Sequence, residues 1–184
     1  MYICIATTTI MNSPKKRILD TASNLFHRQG YNSTGINQII SEAAVAKASF
    51  YHHFKSKDDL CVAFLSARHD YWFSELNTFC SKSTGTKQRL LAAFNFIIYM
   101  NEKEDFRGCS FLNILSEISK DQASILSLIQ SHKNDLRKFF KNEDVSESIS
   151  DHIYLLFESS IIESQLFKSN ELIYKSREIV ESLI

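Results

Sequence analysis

The sequence predicts an all-α fold on three observations. Apolar residues recur at three- and four-residue spacing through nearly every segment, one proline and four glycines interrupt 184 residues, and each glycine falls between apolar-periodic segments. Glycine and proline weaken helix interiors most, so their confinement to the joints leaves long stretches free to be helical. The expected organisation is a short tail over residues 1–12, a small helical domain over 13–60 and a larger helical bundle over 61–184.

The first helix opens at Ser13-Pro14, an N-cap followed by proline at the first helical position, where a missing N–H does no harm. Ile18, Ala22, Leu25 and Phe26 form its apolar stripe, and Gly30 ends it. Thr34 is expected to cap a second, short helix with Ile36, Ile39, Ile40 and Ala43 on one face. Ala44-Val45 supply a turn, with Val45 as a buried peg. In the third helix, Lys47 to Phe54, the core-facing Phe50 and Phe54 stand four residues apart and leave Lys47, Ser49, Tyr51, His52 and His53 on the other sides. Ser56-Lys57-Asp58-Asp59 has the form of a capping box and opens a fourth helix running from Lys57 to about Phe79. Two short helices, a tight turn and a polar-faced helix make a helix-turn-helix, a shape suited to the major groove of DNA.

Beyond Gly85 the helical spacing returns in four sets. They are Leu90 to Ile98, Phe111 to Ile118, Ile125 to Phe140, and a segment carrying the run Ile153-Tyr154-Leu155-Leu156-Phe157 followed by Ile161-Ile162. A helix apolar on more than one side is buried on more than one side. The last segment, with Leu172, Ile173, Ile179, Val180 and Leu183, has little chain left to cover it, so a second copy of the protein is the expected cover.

Charge follows the same division. The formal net charge is zero, but residues 13–60 carry seven Lys/Arg against four Asp/Glu, whereas residues 61–184 carry fourteen against seventeen. The basic excess therefore sits with the groove-shaped segment. Cysteines 4, 61, 80 and 109 lie far apart with no CxxC pair, which suits a reducing cytoplasm better than a disulfide framework. Met1–Asn12 lacks a basic leader and is too short to span a bilayer, so it reads as a disordered tail or a start misplaced ahead of Met11, with no membrane partner. No Walker loop, HExxH, paired Glu-x-x-His set or nucleophile elbow occurs, so no catalytic site, metal or cofactor is expected.

Residues Ile18 to Leu60, with GYNSTGINQII, EAAVAKASFYHHF and KSKDDL in order, resemble the N-terminal domain of TetR-type transcriptional regulators. The resemblance implies a homodimer that binds a palindromic double-stranded DNA operator, usually as a repressor, until a small-molecule effector binds the C-terminal domain. It implies that Thr34 caps the second helix and touches phosphate, that Lys47 and Ser49 lie near bases, that Tyr51 and His52 reach backbone or bases, and that Lys57 holds a phosphate. Ala44 and Ala48 depart from the pattern, because the family often has glycine at both places; the extra methyl at Ala44 is expected to leave the turn helical.

In the bundle, Phe94, Ile98, Phe111, His132, Phe157 and Ile161 are candidates to line an effector cavity, since bundle interiors commonly hold apolar pockets with a few polar groups. Cys109 joins them. In Arg107-Gly108-Cys109-Ser110 a helix start and a neighbouring arginine favour a reactive thiolate, which gives the alternative reading of a thiol-based redox or electrophile sensor. Loss of the response to thiol oxidants in Cys109→Ser supports that alternative, and an unchanged response removes it.

Overall fold

The structure, a computed structural model, describes residues 13–141 and 143–184. The expectations for residues 1–12 lie outside them. The described chain forms nine helices: α1 (Pro14–Gln29), α2 (Ile36–Glu42), α3 (Lys47–His53), α4 (Lys57–Cys80), α5 (Thr86–Lys103), α6 (Ser110–Leu115), α7 (Ala123–Lys141), α8 (Glu147–Phe167) and α9 (Glu171–Leu183). These helices fall into two compact units. One holds the described residues up to Ala67 together with Asn113–Leu128, and the other holds Arg68–Leu112 and Ile129–Ile184. The first unit thus recruits a segment from the middle of the chain, unlike a single boundary after residue 60.

In the second unit α8 packs on α9, and α5 packs on both. Their shared core includes Leu90, Phe94, Phe96, Ile97, Phe140, Ile153, Phe157, Ile173 and Val180. Ser146 caps α8, its hydroxyl accepting from Ile149 N at 3.3 Å. Buried small polar residues join α8 to α9, for Ser160 Oγ and Ser176 Oγ lie 2.9 Å apart. The opposite faces of these two helices are apolar and uncovered: Leu155 (62% exposed), Leu166 (68%) and Phe167 (67%) on α8, with Leu172, Ile179 and Leu183 on α9. Leu155, Ile162 and Leu166 follow helical spacing, so they form a stripe rather than scattered exceptions.

The first unit is built around α1, which packs on α2 and α3. Ser13 Oγ accepts from Lys16 N at 3.3 Å, and Gly30 closes the helix at φ 94°. Ile18, Ala22, Leu25 and Phe26 are buried, as their spacing predicts, and so are Ile39, Phe50 and Phe54. Two local expectations are corrected. Thr34 does not cap α2: the N-cap is Gly35, and the fully buried Thr34 hydroxyl donates instead to Gly30 O at 2.6 Å, tying the loop back to the end of α1. Val45 is only half-buried, and Ala43 is the buried residue of the turn.

Ala44 does not stay helical. Its φ is 50°, in the left-handed region, and Arg17 holds the turn there, with Nε donating to Ala43 O at 3.1 Å and Nη2 to Ala44 O at 3.4 Å. A residue with a Cβ is strained in that region and glycine is not. Ala44→Gly is therefore expected to raise the unfolding free energy by about 1 kcal/mol, after allowing for glycine's freer unfolded chain, and to raise Tm by about 2–4 °C in a thermal melt. A lower Tm would mean that the turn carries no strain.

Candidate nucleic-acid interface and bundle cavity

Helix α3 is short and has no side-chain cap at Ala46, so its first backbone N–H groups are left for other acceptors. Phe50 is fully buried and Phe54 nearly so, their rings 6.3 Å apart, and this pair fixes which side of α3 faces inward. Lys47, Ala48, Tyr51 and His52 are then exposed, while Ser49 and His53 are half-buried. Tyr51 lies edge-on to Phe50 at 5.2 Å, and Lys55 Nζ donates to Tyr51 O at 3.2 Å, which holds a further cation against the backbone at the end of α3. The result is a small outward face with a cation, an aromatic hydroxyl and an imidazole, groups that bond phosphates and base edges.

Two of the six expected contact residues lie elsewhere. Thr34 has no exposed surface, so its hydroxyl is not available to a phosphate. Lys57 is half-buried with Nζ 4.2 Å from the centroid of the Tyr31 ring, and burial lowers its ammonium pKa, with nearby acidic groups opposing the shift. It packs on the loop after α1.

That loop has a polar knot that the sequence does not announce. Tyr31 is buried, its hydroxyl donates to Asp58, and Gln122 Nε2 donates to Tyr31 Oη at 2.9 Å and to Asp58 Oδ1 at 3.0 Å. Burial, reinforced by the Asp58 carboxylate, pushes the phenol pKa well up, so Tyr31 remains a donor. Glu117 clasps the same loop. Its Oε2 accepts from Asn32 N at 2.6 Å and its carbonyl from Asn32 Nδ2 at 2.8 Å. A Cβ at Gly30 would stand 2.8 Å from Glu117 Oε1 and make that carboxylate shift, and the positive φ of the turn itself favours glycine. Asp58, expected as a helix-start carboxylate, is thus committed to Tyr31, while Ser56 Oγ alone caps α4 by accepting from Asp59 N at 3.0 Å.

In the other unit a cavity opens between α4, α5, α7 and α8. Cys109, Phe111, His132 and Ile161, all sequence candidates, line it; Trp72, Phe96 and Lys133 also line it and carry no sequence signal for that role. Three candidates do not. Phe94 and Phe157 are fully buried core rings packed edge-to-face at 5.6 Å, and Ile98 packs against that core away from the cavity. The backbone entering the cavity passes through left-handed Asp105, Phe106 and Gly108. At Gly108 a Cβ would lie 2.1 Å from Gln165 Oε1, so no other residue fits without displacing α8's side chain. Strain of this kind persists where surrounding contacts over-determine it. Lys133 stands beside Cys109: its Nζ is 3.5 Å from Cys109 Sγ and binds Glu158 at 2.8 and 2.7 Å.

Residues 18–64 match the family model of the bacterial regulatory proteins of the tetR family. That segment of the chain is a tetR-family N-terminal segment. Its matched region contains α2, α3 and the start of α4, the same residues that build the outward face. The chain is 27% identical over 130 residues to an uncharacterized HTH-type transcriptional regulator in the lacX 3′ region of Lactococcus lactis, covering 70% of this chain and 66% of that protein. It is also 27% identical over 147 residues to the biofilm operon icaADBC HTH-type negative transcriptional regulator IcaR of Staphylococcus aureus, covering 78% and 79% respectively. The first curated relatives it matches are spanned over 29% to 66% of their own length. Its fold is that of a TetR-family transcriptional regulator from Streptomyces coelicolor, with a TM-score of 0.77, 24% identity, and coverage of 92% of this chain and 93% of that one.

Proposed function

We propose that this chain is a tetR-family transcriptional repressor that binds a palindromic operator as a homodimer in the cytoplasm and is released when a small-molecule effector occupies the bundle cavity. One observation carries the reading: buried Phe50 and Phe54 turn Lys47, Tyr51 and His52 outward on a helix whose entry turn is pinned by Arg17. A helix presented this way fits the major groove with its first residues toward bases, while lysines and backbone N–H groups meet phosphates. IcaR's description as a negative regulator supports repression.

The exposed stripes of α8 and α9 support the dimer. Leu155, Leu166, Phe167, Leu172 and Ile179 are costly to leave in water and self-complementary when two copies meet about a two-fold axis. A two-fold protein reads a two-fold site, so the operator is palindromic. The effector step is supported by the cavity of the second unit, which is lined by aromatic and apolar side chains with a few polar groups. An effector that binds one conformation better than the DNA-binding one supplies the differential affinity that a switch requires.

One titration tests these elements together, using a duplex from the DNA upstream of the protein's own gene. The native protein shifts the duplex as a dimer. Tyr51→Ala binds roughly tenfold or more weakly, with thermal stability changed by less than about 0.5 kcal/mol. Leu166→Glu sediments as a monomer and loses the shift. Unchanged affinity in Tyr51→Ala would place the DNA elsewhere, and a dimeric Leu166→Glu would place the subunit interface elsewhere.

A further inference from the structure

We propose that the bundle cavity is a slot for an uncharged, flat aromatic molecule bearing one hydrogen-bond-accepting oxygen. This rests on the effector reading above and names the chemistry of the effector. The walls set the shape. Phe111 and His132 are stacked at 3.6 Å with planes 5° apart, and the Trp72 ring meets Phe96 at 5.2 Å and His132 at 5.6 Å, both edge-on. All four of these rings line the cavity. A flat aromatic ring gains stacked and edge-to-face contacts against a lining of this kind.

The charges set the polarity. Arg68 grips Glu104 with two parallel bonds, Nη1 to Oε1 at 2.6 Å and Nη2 to Oε2, and each partner is about one-seventh exposed. Lys133 is held in the same way by both oxygens of Glu158. Asn101, buried at the slot, donates to Asn170 Oδ1 at 2.9 Å. An anionic or cationic ligand therefore finds no uncompensated counter-charge, and must either remain a buried unpaired ion or break a pair and orphan its partner. The imidazole wall is neutral as well. Burial, with Lys133, His69 and Arg68 adding to it, pushes the His132 pKa down to about 3, and the 3.1 Å contact between His69 Nδ1 and His132 Nδ1 requires one of the two nitrogens to be an unprotonated acceptor.

The oxygen has a specific donor. Two of the Lys133 ammonium protons serve Glu158, and the third is directed at Cys109 Sγ, 3.5 Å away. Thiol sulfur is a weak acceptor, so a ligand hydroxyl or carbonyl oxygen in the slot is the better partner for that N–H and displaces the sulfur contact without disturbing the ion pair.

The chain has a single tryptophan, and Trp72 lines the slot, so its emission reports occupancy directly. The experiment titrates the native dimer with 2-naphthol, 2-naphthoate and 2-naphthylmethylammonium, measuring affinity by calorimetry and location by quenching of Trp72. The expected result is binding of 2-naphthol roughly tenfold or more tighter than either ion, with Trp72 quenched. Equal or tighter binding of an ion, binding of none of the three, or binding without quenching each overturns the proposal. Operator release is followed in the same samples. Tight 2-naphthol binding with no release would overturn the effector reading and leave the chemistry of the slot standing, whereas release driven by an ion would do the reverse.

Discussion

The arrangement of the first unit depends on Arg17 and the turn it holds. A guanidinium on α1 reaches 26 and 27 residues along the chain to the carbonyls of Ala43 and Ala44. Those two bonds keep a non-glycine residue at φ 50°, and that conformation sets the angle at which α3 leaves α2. With the angle set, Phe50 falls into the core and Lys47, Tyr51 and His52 fall outside it. Backbone strain, core packing and the proposed contact with DNA are three consequences of one constraint, since a relaxed turn would rotate the aromatic anchor and the polar face together.

The rest of the unit guards this geometry from behind. The loop after α1 is tied down by buried polar groups rather than by apolar packing alone: Thr34 to Gly30, Tyr31 to Asp58 and Gln122, and Asn32 to Glu117. Buried polar groups are costly unless satisfied, so a knot in which donors and acceptors all match specifies one arrangement and disfavours near alternatives. The bundle uses the same device. Its charges meet in pairs, Arg68 with Glu104 and Lys133 with Glu158, and leave an aromatic slot whose polarity is balanced.

Local chemistry is legible in the sequence, and long-range partnership is not. Ser13-Pro14 and Gly30 mark the ends of α1 because caps act within four residues, and the four-residue spacing of Phe50 and Phe54 fixes the face of α3 for the same reason. The all-helical fold and the tetR-family N-terminal domain follow from such short-range signals. Thr34 misleads because a threonine before a helix is a capping signal whatever its hydroxyl finally bonds, and here the hydroxyl goes to Gly30 O. No spacing rule brings Tyr31 beneath Lys57. The knot joins residues 91 and 85 positions apart, and Lys133 meets Cys109 across 24, so nothing local singles out Gln122, Glu117 or Lys133. Phe94 and Phe157 carry the same helical spacing as true cavity residues, and only the packing of rings tells core from wall.

The proposal that DNA lies on the outward face of α3, held by the Ala43–Ala44 turn, is tested most directly by amide hydrogen exchange with and without an upstream duplex. Exchange is expected to slow in residues 36–42 and 47–53 on adding DNA, while residues 155–183 are unchanged. Protection confined to residues 155–183, with α2 and α3 exchanging at their free rates, would contradict it.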